Sequence, residues 1–311
     1  MLRAAALLAF CLLPAQAAAR SLGSLDTPGY AQAVAVDDDR AYVADGDGGL
    51  LIVDVSKPAA PALLGRLDTP GFAWDVAVAG SRAYVADGST GLRILDVSDP
   101  HEPRELGVYD TPNFALAVAV VGDVVFVADR LSGLQIVEVS EPAHPRLLGS
   151  LDTPGAALDV AVRGALAFVA DGDRGVRIVD VADPQAPRTL GTVDTPGSAI
   201  AVDPAEHVAY VADRQSGVRV LDVSDPGAPR EASAFDTRDF VLAVEADGER
   251  LFAATRGAGI RILAVGDPTR PQQTGALETA GEAWELQLSG GLLYVAAGSA
   301  GLVVVDPAGA R

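Results

Sequence analysis

Apolar residues along this chain come in short bursts, either alternating with polar residues or continuous, and no segment keeps the period of a helix. In residues 67–108 the bursts predict four strands: a over Ala73 to Ala79, b over Ala83 to Ala86, c over Leu92 to Val97 and d over Arg104 to Tyr109. Between them, Gly80-Ser81, Asp87 to Gly91 and Ser98 to Pro103 carry the Gly, Ser, Asp and Pro that punctuate turns. The pattern then recurs every 42 residues, seven times. A tag, Leu-Asp-Thr-Pro-Gly, begins at Leu25, Leu67 and Leu151, with variants in register at Tyr109, Val193, Phe235 and Leu277. A fixed period of that length means one supersecondary unit repeated, each copy too small to bury its own apolar faces.

Comparison of the copies explains individual positions. Strand b carries an aromatic in each: Tyr42, Tyr84, Phe126, Phe168, Tyr210, Phe252 and Tyr294. A glycine precedes strand c at Gly49, Gly91, Gly133, Gly175, Gly217, Gly259 and Gly301, which predicts a positive φ in the b–c hairpin. Strand c is apolar on successive residues, as in Leu51-Ile52-Val53 and Ile178-Val179, and is therefore expected to be covered on both faces. Strand a sets a large face (Phe72/Trp74/Val76, Phe114/Leu116/Val118) against one that is mostly alanine (Ala31/Ala33/Ala35, Ala115/Ala117/Ala119). Large-on-small packing between neighbouring copies lets inner strands crowd around an axis. The expected fold is all-β: a seven-bladed β-propeller with four antiparallel strands per blade.

The ends of the array fit a closed ring. The last unit begins at Leu277 and has strands a, b and c but no d. The missing strand lies at the other end, where Arg20-Ser21-Leu22-Gly23-Ser24-Leu25 matches Ala62-Leu63-Leu64-Gly65-Arg66-Leu67. The amino-terminal strand is expected to complete the last blade, which removes two exposed sheet edges. Residues 20–311 thus read as one propeller domain, and residues 1–19 as a secretory signal. In that signal Arg3 supplies the charge, Ala4 to Leu13 the apolar stretch, and Ala15-Gln16-Ala17 or Ala17-Ala18-Ala19 the cleavage site. The one cysteine, Cys11, lies inside it, so the processed chain has no thiol chemistry. The expected compartment is the periplasm or the cell surface, with no membrane span and a monomeric state.

Composition narrows the partners. A formal net charge of −19 among 311 residues argues against nucleic acid, because phosphate binding needs a positive field. Strand c then carries a resemblance. Leu50-Leu51-Ile52-Val53-Asp54-Val55-Ser56, Leu92-Arg93-Ile94-Leu95-Asp96-Val97-Ser98-Asp99-Pro100 and Val176-Arg177-Ile178-Val179-Asp180-Val181 are similar to the LVIVD repeat of bacterial and archaeal surface or exported proteins. The resemblance covers nearly the whole processed chain and implies an exported propeller. It brings no common activity and no catalytic residue. Later copies depart from the pattern: Ala264, Ala297 and Thr255 replace aspartates, and Arg238 replaces the tag proline.

Four groups of residues are candidates for chemistry. Two sets of acids share the face where the d–a and b–c loops emerge: Asp45, Asp87, Asp129, Asp171 and Asp213 in the hairpins, and Asp26 with its tag equivalents. Asp45-Gly46-Asp47 and Asp171-Gly172-Asp173 resemble fragments of calcium loops but lack the full ligand alternation, so turn chemistry is the favoured reading over bound Ca²⁺. Asp75, Asp159 and Glu285 interrupt the alanine face of strand a, which lines the channel. They are read either as meeting channel water or as acid-base groups. Tyr30, Phe72, Trp74, Phe114, Phe240 and Trp284 start strand a near the same mouth. They are candidates for a sugar or peptide floor, although packing between blades is favoured. His101, His144 and His207 fall in loops of the opposite face in three blades, too scattered for a metal site or triad.

Two functions remain. The leading one is a binding scaffold for a protein, peptide or glycan of the cell envelope; the alternative is a hydrolase or lyase using Asp75, Asp159 and Glu285. Convergence of those acids on one ligand position would favour the enzyme.

Overall fold

The computed structural model describes residues 20–309 apart from Ala258. The signal reading of residues 1–19, with Cys11, lies outside the described residues. Seven four-stranded antiparallel sheets form the blades of a propeller. Blade 1 consists of Ala33–Asp37, Arg40–Ala44, Leu50–Asp54 and Ala62–Leu67, in the predicted order a to d. In blade 7 the strands Glu285–Ser289, Leu292–Ala296 and Leu302–Asp306 are completed by Arg20–Leu25. Leu25 pairs with Leu302, Ser24 with Val303 and Gly23 with Val304, so the ring closes as the split repeat predicts.

Strand a is shorter than its apolar pattern. In blade 2 it runs over Asp75–Ala79, while Ala73 forms an isolated bridge with Gly46 of blade 1. At six of the seven junctions the first apolar residues of the inner segment are thus spent on stitching a blade to the preceding one. Equivalent bridges join Gly88 to Ala115, Arg130 to Ala157, Gly172 to Ala199, Arg214 to Val241 and Ala31 to Gly298.

The core lies between blades. Tyr42, Ala44, Leu50 and Ile52 of blade 1 pack on Ala73, Val76, Ala83 and Val85 of blade 2. The closing interface is built the same way, with Tyr294, Ala296, Leu302 and Val304 against Ala31, Val34, Ala41 and Val43. Each strand b aromatic therefore fills the space that the next blade's alanines leave, which is where apolar burial stabilises the ring.

Gly49 confirms the hairpin expectation. Its φ is +70°, and a Cβ there would lie 2.3 Å from the Leu67 carbonyl oxygen. Gly65 on the outer strand serves a different purpose, since a Cβ would lie 2.3 Å from the Pro100 carbonyl oxygen in the next blade's c–d loop. Blade 5 has Ser233 at this position, and its hydroxyl donates to the Pro268 carbonyl at 2.5 Å. One blade replaces close contact by a hydrogen bond.

Candidate functional site

The two acidic sets separate in space. Asp26, Asp68, Asp110, Asp152, Asp194, Asp236 and Glu278 are exposed on the outer rim of one face. Asp45, Asp87, Asp129, Asp171 and Asp213 are fully buried. Asp45 accepts the Thr27 hydroxyl at 2.5 Å and the Gly29 N–H at 2.7 Å, and so clamps the tag to the b–c hairpin of its own blade. Asp87 holds Thr69 and Gly71, and Asp213 holds Thr195 and Gly197, in the same way. Arg93, Arg177 and Arg219 on strand c bring a positive charge to Asp87, Asp171 and Asp213, at 3.4, 3.5 and 3.3 Å.

The favoured turn reading therefore has a geometric form: protein donors occupy the carboxylates where a cation would sit. Asp47 and Asp173 are exposed at the hairpin tips, away from these buried partners. Among the described residues no three or more of His, Cys, Asp and Glu are grouped so as to hold a metal.

Where the clamp aspartate is missing, the tag threonine turns inward. Thr237 donates to the Asp239 carbonyl and Thr279 to that of Gly281. Asp213→Ala is expected to cost about 2–4 kcal/mol, because it strands Thr195, Gly197 and Arg219 together. Chemical denaturation would measure this, and a loss under about 0.5 kcal/mol, the range of an ordinary surface substitution, would mean the clamp is incidental.

The central channel holds the remaining candidates. It encloses about 580 Å³ and is lined by the seven inner strands. At its mouth stand Gln32, Trp74, Leu116, Leu158, Ile200, Leu242 and Trp284, one from each blade. One residue deeper come Asp75, Asp159 and Glu285 from blades 2, 4 and 7. Two residues deeper again come Asp203, Glu245 and Gln287 from blades 5, 6 and 7, which the sequence reading missed although the same alternation leads to them.

These side chains do more than meet channel water. Each reaches the exposed edge of the next blade's inner strand and accepts a backbone N–H there. Val118 donates to Asp75 Oδ2 at 2.7 Å, Val202 to Asp159 Oδ2 at 2.8 Å and Val34 to Glu285 Oε2 at 3.0 Å. In the deeper layer Ala246 donates to Asp203, Leu288 to Glu245 and Val36 to Gln287. The second oxygen of Asp75 and of Asp159 accepts the N–H of Val76 and Val160, both at 2.7 Å. An inner strand leaves every other N–H unpaired, and these groups satisfy part of that set.

All five carboxyls are half-buried. Burial pushes Asp75 up to about 6, Asp159 to about 7 and Glu245 to about 7. Asp203 is raised for the same reason, and Glu285 is raised well above the carboxylate range by burial and then by the charges of Asp75 and Asp159. The accepted N–H bonds oppose these shifts without cancelling them.

The aromatics divide into two groups. Tyr30 and Phe72 pack between blades, over Gly298 and Gly46, where a Cβ would lie 2.6 and 2.7 Å from their rings. Trp284 meets Tyr30 edge-on with centroids 5.9 Å apart, and its indole N–H donates to the Tyr30 hydroxyl at 3.0 Å. Tyr30 in turn donates to Glu282, which also accepts from Arg256. Trp74 packs on Phe72 with the rings tilted by 46° and centroids 4.7 Å apart, but its indole nitrogen has no partner. Phe114 and Phe240 are exposed on the same face.

The second b–c loop residue is Gly46, Gly88, Gly172 or Gly298 in four blades and an arginine in three: Arg130, Arg214 and Arg256. Arg130 and Arg214 keep the left-handed backbone at φ 46° and 47°, which costs a residue with a Cβ about 1 kcal/mol. Arg214 was not among the sequence candidates, although its departure from glycine was visible there. His101 and His144 lie in c–d loops and His207 in an a–b turn, dispersed as expected.

Solved structures share this architecture at low identity. The computationally designed Ika8 protein matches with a TM-score of 0.70 and 10% identity, over 91% of this chain and 98% of its own. The RRP9 WD40 repeats match with a TM-score of 0.77 and 12% identity, over 94% and 98%. A chain of the Mitotic Checkpoint Complex matches with a TM-score of 0.75 and 16% identity, over 97% and 98%. At such identities the likeness concerns the fold. No curated protein matches the sequence. LVIVD repeats match residues 28–69, 70–111, 114–153, 154–195, 196–237 and 280–306. The unmatched stretch 238–279 falls in the region where Arg238, Thr255 and Ala264 break the pattern. With these matches covering well over half of its length, in step with the blades, the chain belongs to the LVIVD-repeat family.

Proposed function

We propose that this propeller is an exported binding scaffold that engages a protein, peptide or glycan of the cell envelope through the face bearing the d–a and b–c loops. The channel mouth carries the reading. There, large side chains from all seven blades converge on a concavity of about 580 Å³, within the size range of ligand pockets. Phe114, Leu131 and Phe240, exposed by 37%, 63% and 40%, extend an apolar surface around it. No helix among the described residues is long and apolar enough to cross a membrane. Export rests on the charged, apolar and small-residue pattern of residues 1–19.

The alternative of a hydrolase or lyase built on Asp75, Asp159 and Glu285 has their raised pKa values in its favour. Both oxygens of each aspartate are already engaged by backbone N–H groups, however, which suits an inter-blade staple better than a general base.

A photo-crosslinking residue placed at Asp47, on the b–c face, is expected to trap an envelope component in cells. The same residue at Asp99, in a c–d loop of the opposite face, is not. Adducts from Asp99 alone, or from neither position, would overturn the proposal.

A further inference from the structure

We propose that the channel mouth binds a single carboxylate carried on an apolar body, such as the C-terminus of a peptide ending in an aromatic or aliphatic residue, with Arg214 holding the carboxylate and Trp74 and Trp284 flanking the body. This deepens the scaffold reading and rests on it.

The argument starts from the three arginines at a glycine position. Arg256 pairs with Glu282 at 3.1 Å, and Arg130 lies over the Phe114 ring, 5.9 Å from its centroid. Each has a local role. Arg214 lines the channel mouth, and among the described residues its guanidinium enters no ion pair or hydrogen bond. It nevertheless holds a left-handed backbone that four other blades give to glycine. Strain without a local return is the mark of a group kept for a ligand. In a chain of net charge −19, a free guanidinium at the rim of the channel offers a fork of N–H donors to a planar anion.

The rest of the mouth sets the remaining chemistry. Trp74 stands in blade 2 and Arg214 in blade 5, on opposite sides of a seven-blade ring. Trp74 lines the mouth as an apolar flank, with its indole nitrogen buried beside Gly88 rather than open to a ligand. Leu116, Leu158 and Ile200 supply an apolar wall between them. Asp75, Asp159 and Glu285 lie one residue deeper, and the partial negative charge they keep opposes a dianion or deeper entry. One negative charge, held at the rim, is what this arrangement accepts.

The chain has two tryptophans and both line the mouth, so intrinsic fluorescence reports on the site directly. The probes are a short N-acetylated peptide ending in Phe with a free carboxylate, its C-terminal amide, and 3-phenylpropionate. The free acid is expected to give a saturable change, with the amide at least tenfold weaker. Tighter binding of the peptide acid than of 3-phenylpropionate assigns a peptide terminus; equal binding assigns a free carboxylate. Arg214→Gly is expected to weaken the acid at least tenfold while melting no lower than the parent, a combination that a structural arginine would not give. Arg214→Gln, which keeps the stem, should abolish the preference for acid over amide. Trp74→Leu, the residue blades 3, 4 and 6 use, should weaken the peptide acid while keeping that preference.

Equal binding of acid and amide, undiminished binding by Arg214→Gly, or no saturable response to either acid would overturn the assignment. Crosslinks from Asp47 would in that event leave the broader scaffold reading standing.

Discussion

A protein lacking residues 20–25 is expected to melt at least about 10 °C lower than the parent, or to aggregate on purification. Those residues are the outer strand of blade 7, and their loss bares the edge of Leu302–Asp306 along Val303, Val304 and Val305. It also removes Leu25, which packs on the interface between blades 7 and 1. The damage is thus double: an unpaired apolar strand that invites other chains, and a weakened seam in a ring whose every other interface depends on closure. Circular dichroism melts with light scattering would show it. An unchanged melting temperature would mean that three strands suffice for blade 7.

Acidification from pH 8 to about pH 5.5 is expected to raise the melting temperature by several degrees. The sign follows from the channel. Asp75, Asp159 and Glu245 titrate near 6 to 7 in the folded protein, well above their ordinary values, and Asp203 and Glu285 shift the same way. Between the ordinary and the raised values the folded state binds more protons than the unfolded chain. Stability is therefore gained as pH falls through that window and lost as pH rises through it. Each pKa unit corresponds to about 1.4 kcal/mol, so the groups together move stability by several kcal/mol. Asp222 on the surface runs the other way: it is held near 2 by the hydrogen bonds of Ser224, and it loses its contribution only in stronger acid. Asp159→Asn should flatten the profile, and a melting temperature that rises steadily from pH 5.5 to 8 would show that the channel carboxyls stay fully ionised.

The repeat made the fold legible because each copy tests the others. The aromatic of strand b and the glycine before strand c meant little in one blade, and became packing and hairpin geometry when seven copies agreed. The family resemblance at strand c is borne out by the repeat matches. The site was legible only where one copy departed from the rest. Asp75, Asp159 and Glu285 stood out against alanine, whereas their partners did not, because a backbone N–H leaves no trace in a sequence. Asp203, Glu245 and Gln287 occupy the position of Ala35 and Ala119 on the same face, and were overlooked because that position was compared only in the blades that carry alanine there. The hairpin aspartates sat on the expected loops, but their burial came from contacts with the tag that sequence spacing alone does not give.

The inner carboxylates have a consequence for how such a ring can change. Each reaches forward by about one repeat to a main-chain amide, which every blade presents at the same height whatever its side chains. No complementary substitution in the neighbour is required for the hydrogen bond, so alanine and acid can exchange at each position at no cost beyond the mutual repulsion of the acids. The charge of the lumen can therefore drift, or be selected, one blade at a time while the interlocking aromatics outside it stay fixed. A duplicated blade would arrive with its own donor and acceptor already matched to whatever it is placed beside.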